Sequence, residues 1–225
     1  MSIFLKAGAL AAGLVFSASA AQAAIFTLDF EGLANNESVG EFYNGGTGGD
    51  GSTGGDDFGV SFSSNALAII DSDAGGTGNF GGEPTPDTVL FFLTGTAVMD
   101  VAAGFDTGFS FYYSAVNNPG SVVVYDDLGA TGNVLTTLTL PVTASDGGDP
   151  NGSFSPFVSV GVSFTGVAKS VDFGGTVDQI AFDNITFGSE TAGETGGTAS
   201  DVPLPAAAPL LLLGLGAMGL MRRKA

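Results

Sequence analysis

What most limits the fold of this chain is how short its apolar runs are. Between residues 25 and 188 they are repeatedly interrupted by Gly, Asp, Asn or Pro. Phe26-Thr27-Leu28-Asp29-Phe30 alternates with period two, so Phe26, Leu28 and Phe30 share one face of an extended strand. Comparable runs follow at residues 59–63, 67–71, 89–93, 97–101, 109–113, 122–125, 134–140, 158–164, 170–173 and 179–187. A spacing of roughly ten residues, with turn formers between runs, marks an antiparallel sandwich or barrel. No window sustains helical periodicity. With 37 Gly and 19 Phe, the composition agrees. The expected fold is all-β, an antiparallel β-sandwich of the jelly-roll kind, with an apolar helix at each terminus.

Within that frame the runs differ. Val89-Leu90-Phe91-Phe92-Leu93 is apolar on both faces and should be a central strand, covered on both sides. In residues 179–187 the apolar phase breaks at Asp183-Asn184, which predicts a bulge that turns two polar side chains toward a rim. Residues 44–57 contain nothing apolar and must be a surface loop. Residues 71–87 and 145–155 read as two further long loops. The expected division is a cleaved segment at 1–23, a sandwich domain at 24–188, a flexible linker at 189–201 and a signal at 202–225.

Charge separates the ends from the middle. All 23 acidic residues lie between Asp29 and Asp201, whereas four of the five basic residues lie in the end segments, leaving Lys169 inside. Such a surface repels nucleic acid and anionic lipid. Its carboxylates need solvent, salt or divalent ions, which suits salty or calcium-rich surroundings outside a cell.

Both ends read as addresses. Lys6, the apolar stretch 7–16 and the small residues Ala21, Ala23 and Ala24 form a secretory signal peptide, to be cut by signal peptidase after Ala23. At the other end Val202, Pro203, Leu204, Pro205 and Ala206 lead into an apolar run that ends at Met221, and Arg222, Arg223 and Lys224 follow. As a helix, residues 206–221 would measure about 24 Å at about 1.5 Å per residue. That is short for a hydrocarbon core of about 30 Å, so the basic residues would snorkel and stay cytoplasmic as a stop-transfer group. The prolines keep the motif extended just outside the bilayer, where a protease can grip it.

Residues 202–225 resemble the C-terminal sorting signal of the PEP-CTERM class, in the variant reading Val-Pro-Leu-Pro-Ala. The middle of the chain is similar to a domain that recurs in such proteins. The marks are Glu41-Phe42-Tyr43-Asn44-Gly45-Gly46, Phe58-Gly59-Val60-Ser61-Phe62 and Ile180-Ala181-Phe182-Asp183-Asn184-Ile185. The resemblance implies secretion by a Gram-negative bacterium that makes extracellular polysaccharide. It also implies transient anchoring in the inner membrane and processing by an exosortase-type membrane protease. It carries no established activity.

The residues themselves exclude much chemistry. Without His or Cys there is no Ser-His-Asp triad, Cys nucleophile, thiolate zinc site or imidazole metal site. Calcium, which takes hard oxygen ligands, is the better expectation. Asp29 and Glu31 by the first strand, with Asp183 in the last, would hold it as a structural ion. Residues 45–53 loosely match a calcium-binding nonapeptide with Asp50 at the ligand position, but no tandem repeat follows. Trp is absent and Tyr numbers four. Tyr112 and Tyr113 are consecutive in a strand, so one faces outward and could stack on a sugar. The expected role is a non-enzymatic matrix or adhesion protein of a biofilm. A lectin-like carbohydrate-binding module and a glycan-acting enzyme with paired carboxylates are the alternatives.

Overall fold

The computed structural model describes residues 25–143, 145 and 153–194. The expected terminal helices, the signal peptide and its cleavage residues, the end of the linker and the 202–225 signal lie outside the described residues. Ala23–Ser200 forms one compact unit.

Eleven strands are present among the described residues: β1 Phe26–Leu28, β2 Val60–Phe62, β3 Leu67–Ile70, β4 Thr88–Phe91, β5 Ala97–Phe105, β6 Phe109–Ser114, β7 Gly120–Asp127, β8 Thr131–Leu140, β9 Val158–Val162, β10 Ala168–Gly175 and β11 Ala181–Phe187. Each apolar run of the sequence contains one. β5, β7, β8 and β10 extend past their apolar stretches because backbone pairing with a neighbour continues where side-chain alternation stops.

The strands form two antiparallel sheets. One runs β3-β4-β11-β6-β9, with β1 also on β11, and the other runs β2-β5-β10-β7-β8. Taken as eight strands, β4 to β11 wind in jelly-roll order, four to a sheet, with the chain crossing repeatedly between sheets. Between the sheets lies a core of phenylalanine. Phe173 and Phe182 meet across it at 5.0 Å between ring centroids, and Phe111 packs edge-on to both at 6.0 and 5.7 Å. Each such contact adds about 0.5–1.5 kcal/mol to the burial of the rings.

β4 is covered on both faces, as its sequence requires. Leu90 joins the main core, and Val89 joins a second cluster with Phe80, Phe157 and Ala181 on the outer face of the same sheet. Residues 71–87 form a long loop, as expected, but part of it is buried. Phe80 is 3% exposed and packs edge-on to Phe157 at 6.1 Å. The excursion therefore folds back over the sheet.

The start of the expected linker is also docked. Residues 189–194 lie against the sheet: Gly193 donates to Thr186 Oγ1 at 2.9 Å, and Thr27 Oγ1 donates to the Glu194 carbonyl at 2.8 Å. Gly108 and Gly161 make room for this strap. A Cβ at Gly161 would stand 2.0 Å from the Glu190 carbonyl oxygen.

Candidate functional site

The bulge expected in β11 is present: pairing with β6 shifts register between Asp183 and Thr186, and Asn184 takes the left-handed conformation that Asn tolerates. The two polar side chains do not form a solvated rim, because Asp183 has no exposed surface. Its carboxylate accepts the Thr85 amide at 3.1 Å, the Thr85 hydroxyl at 2.8 Å and the Asn184 amide at 2.6 Å. Burial pushes the Asp183 pKa up to about 7; the donors oppose this and the charge of Glu31 adds to it.

Asp29 and Glu31 join the same neighbourhood. Tyr43 donates to Asp29 Oδ1 at 3.2 Å while accepting the Phe30 amide at 2.6 Å. Burial raises the Tyr43 phenol, and Asp29 raises it further, so it stays protonated and remains a donor. Glu31 Oε1 accepts the Asp87 and Thr88 amides at 3.0 and 2.8 Å. The three residues expected to bind calcium are thus gathered around the 85–88 segment. Their oxygens, however, face N–H and O–H donors. Among the described residues no group of three acids is placed to hold a metal ion.

A second buried acid, Glu37, organises the 44–57 loop. It accepts the amides of Ala34 at 2.7 Å, Asp50 at 2.8 Å and Ser52 at 3.1 Å, and the Ser52 hydroxyl at 2.5 Å. Burial opposes ionisation, but these donors outweigh it and hold the pKa below the usual carboxylate value. The loop that loosely matched a calcium nonapeptide therefore closes its amides around an anion, the opposite polarity to a cation site.

The outer cluster borders a pocket of about 320 Å³. Ile69, Phe80, Phe154 and Ile180 supply apolar walls; Thr77, Asn79, Asp178 and Gln179 supply polar ones. Gln179 is steadied by Asn118 Nδ2, which donates to its Oε1 at 3.2 Å. A second hollow of about 340 Å³, near Glu31, Ser52, Ile70 and Asp87, has no aromatic wall among the described residues.

Tyr112 and Tyr113 do point to opposite faces. Tyr113 is 3% exposed, and its hydroxyl donates to the Pro141 carbonyl at 3.1 Å, so it is core and unable to meet a sugar. Tyr112 lies on the outer face, partly buried against the second cluster. Thr85, Glu37, Asn79 and Asp178 were not singled out in the sequence. Phe80 carried a signal, an isolated aromatic in a Gly-rich loop.

The tail supplies the address. Residues 201–225 match the family model of the PEP-CTERM protein-sorting motif. The chain carries a PEP-CTERM sorting motif. The matched segment contains Val202, Pro203, Leu204, Pro205 and Ala206 as well as Arg222, Arg223 and Lys224. The motif implies export, membrane-anchored sorting and an exosortase-type system. No curated protein matches the chain. Among solved structures, the K2 cleaved adhesin domain of Lys-gingipain shares 14% identity over 73% of the chain and 97% of that domain, with a TM-score of 0.46. A family 6 carbohydrate-binding module shares 22% identity over 58% of the chain and 87% of the module, with a TM-score of 0.34. A carbohydrate-binding module of lichenase 5A from Cellvibrio mixtus shares 14% over 55% of the chain and 86% of the module, with a TM-score of 0.31.

Proposed function

We propose that this is a secreted, non-enzymatic matrix or adhesion protein of a Gram-negative bacterium, and that it holds extracellular polysaccharide in the pocket beside Phe80. Signal peptidase frees the front end. An exosortase-type protease acts on the tail, whose motif we read as the Val-Pro-Leu-Pro-Ala variant. The protein then works at the surface or in a biofilm.

The pocket carries this reading. Apolar walls suit the C–H face of a sugar ring, while Asn79, Asp178 and Gln179 offer the mixed donors and acceptors that hydroxyl groups require. With 23 carboxylates in the chain and Lys169 alone among them, the surface favours neutral glycans over uronates.

Glycan-array and calorimetric binding of Ala23–Ser200 tests the reading. Neutral polysaccharide should bind, and Asp178→Ala with Gln179→Ala should weaken it at least about tenfold, a loss of about 1.4 kcal/mol. Failure of every neutral glycan to bind would overturn the proposal. Unchanged affinity in the double variant would place the site elsewhere.

A further inference from the structure

We infer that the pocket beside Phe80 selects amino sugars whose nitrogen is a free amine, and that it binds the ammonium group through Asp178. The inference rests on the glycan reading of this pocket and names the class of sugar that it prefers.

The polar groups around the pocket differ in what they have left to offer. Thr77 Oγ1 is taken by Asn35 and Asn36, whose side-chain amides donate to it at 3.0 and 3.2 Å. Asn79 Oδ1 accepts the Ser153 amide at 3.1 Å, and Gln179 Oε1 accepts from Asn118. Asp178 is different. The turn between β10 and β11 uses only its main chain: the amide donates to the Phe92 carbonyl at 2.9 Å, and the carbonyl accepts Gln179 Nε2 at 2.7 Å. These bonds fix the residue in the left-handed region, at a φ of 57°. Among the described residues no donor reaches its carboxylate.

No cation neutralises it either. Lys169, the only Lys or Arg among the described residues, lies 4.0 Å from Asp127, toward the other end of β10. The pocket thus sets one uncompensated negative charge beside the apolar walls of Ile69, Phe80, Phe154 and Ile180. Amides such as those of Asn79 and Gln179 suffice for sugar hydroxyls. An ammonium gains more: it pairs with the carboxylate, and the partly exposed ring of Phe154 attracts a cation that meets its face. An acetylated nitrogen carries no charge, and a uronate is repelled.

Calorimetry of Ala23–Ser200, which contains the whole phenylalanine core, reads this with a glucosamine tetrasaccharide and its N-acetyl form. Salt at about 0.15 M confines the general field of the acidic body to about 8 Å. At about pH 5.5, where an amine is protonated, the glucosamine form should bind at least about fivefold tighter. At about pH 9.5 the amine is neutral and that advantage should vanish. Asp178→Asn should bring the ratio of the two affinities at the acid pH to about one. Asp56→Asn, which removes the same charge from an exposed loop that does not line the pocket, should keep the ratio. Equal binding of the two forms, or an equal fall of the ratio in the two variants, overturns the inference and leaves the glycan reading standing. Binding of neither form while another neutral glycan binds does the same; binding of no glycan at all fells the reading and the inference together. A tetralysine peptide that binds as tightly as the glucosamine form, and loses as much in Asp178→Asn, would show a site for any amine and also overturn it. Should Asp178→Asn misfold, the wild-type pH profile decides: an advantage that persists at alkaline pH refutes the ammonium.

Discussion

Thr85 gives both its amide and its hydroxyl to the carboxylate of Asp183, at 3.1 and 2.8 Å. The pair joins the excursion after β3 to the last strand across 98 positions of sequence. Thr85→Val keeps the branched shape and removes only the hydroxyl. Loss of a donor to a buried acid costs about 1–3 kcal/mol. Urea denaturation should show this as a lower midpoint with an unchanged slope.

Acidity should act on Asp183 and Glu37 in opposite directions. Asp183 has a raised folded pKa, so the native state holds its proton where the unfolded state releases it. The resulting stability is fully present below about 4 and is lost as pH rises toward about 7. The slope is at most about 1.4 kcal/mol per pH unit. Glu37 has a lowered folded pKa, so its contribution is present above the usual carboxylate range and fades as pH falls through its folded value. Melting temperature should therefore peak on the acid side of neutrality. Asp183→Asn should flatten the neutral limb; an unchanged limb would remove Asp183 as its cause.

Calcium should leave the fold unaffected. Asp29, Glu31 and Asp183 already accept from Tyr43, Asp87, Thr88, Thr85 and Asn184. A cation would have to share those oxygens with the donors that now hold them. At matched ionic strength, millimolar Ca²⁺ and EDTA should give the same melting temperature. A rise of several degrees with Ca²⁺ would establish the structural ion expected from the sequence.

Gly161→Val should dislodge the strap without opening the core. Its side chain would collide with the Glu190 carbonyl, whereas the phenylalanine cluster lies on the far side of the sheet. Protease should cut within residues 189–194 much faster, with thermal stability reduced by only a few degrees. Equal cutting rates would mean that the strap is not held at Gly161.

The strands were legible because alternation is local: Phe26, Leu28 and Phe30 announce a face without reference to any distant residue. β4 was legible for the same reason, being apolar on both faces. The acids were not. Glu37 and Asp183 look like any surface carboxylate, and what buries them is a set of donors brought by turns remote in sequence. The calcium expectation assigned Asp29, Glu31 and Asp183 to one neighbourhood, where the fold does gather them, but the amides and hydroxyls that their carboxylates accept include those of Tyr43 and of residues 85–88, which no local pattern announces. The strap was hidden because Gly-rich composition reports freedom of the backbone, and says nothing of the surface onto which that backbone closes.

The bond from Thr27 to Glu194 ties the first strand to the last described turn. The described sandwich therefore begins and ends at one corner: a pull on Glu194 is borne first by Thr27 and, through the pairing of β1 with β11, by the sheet itself.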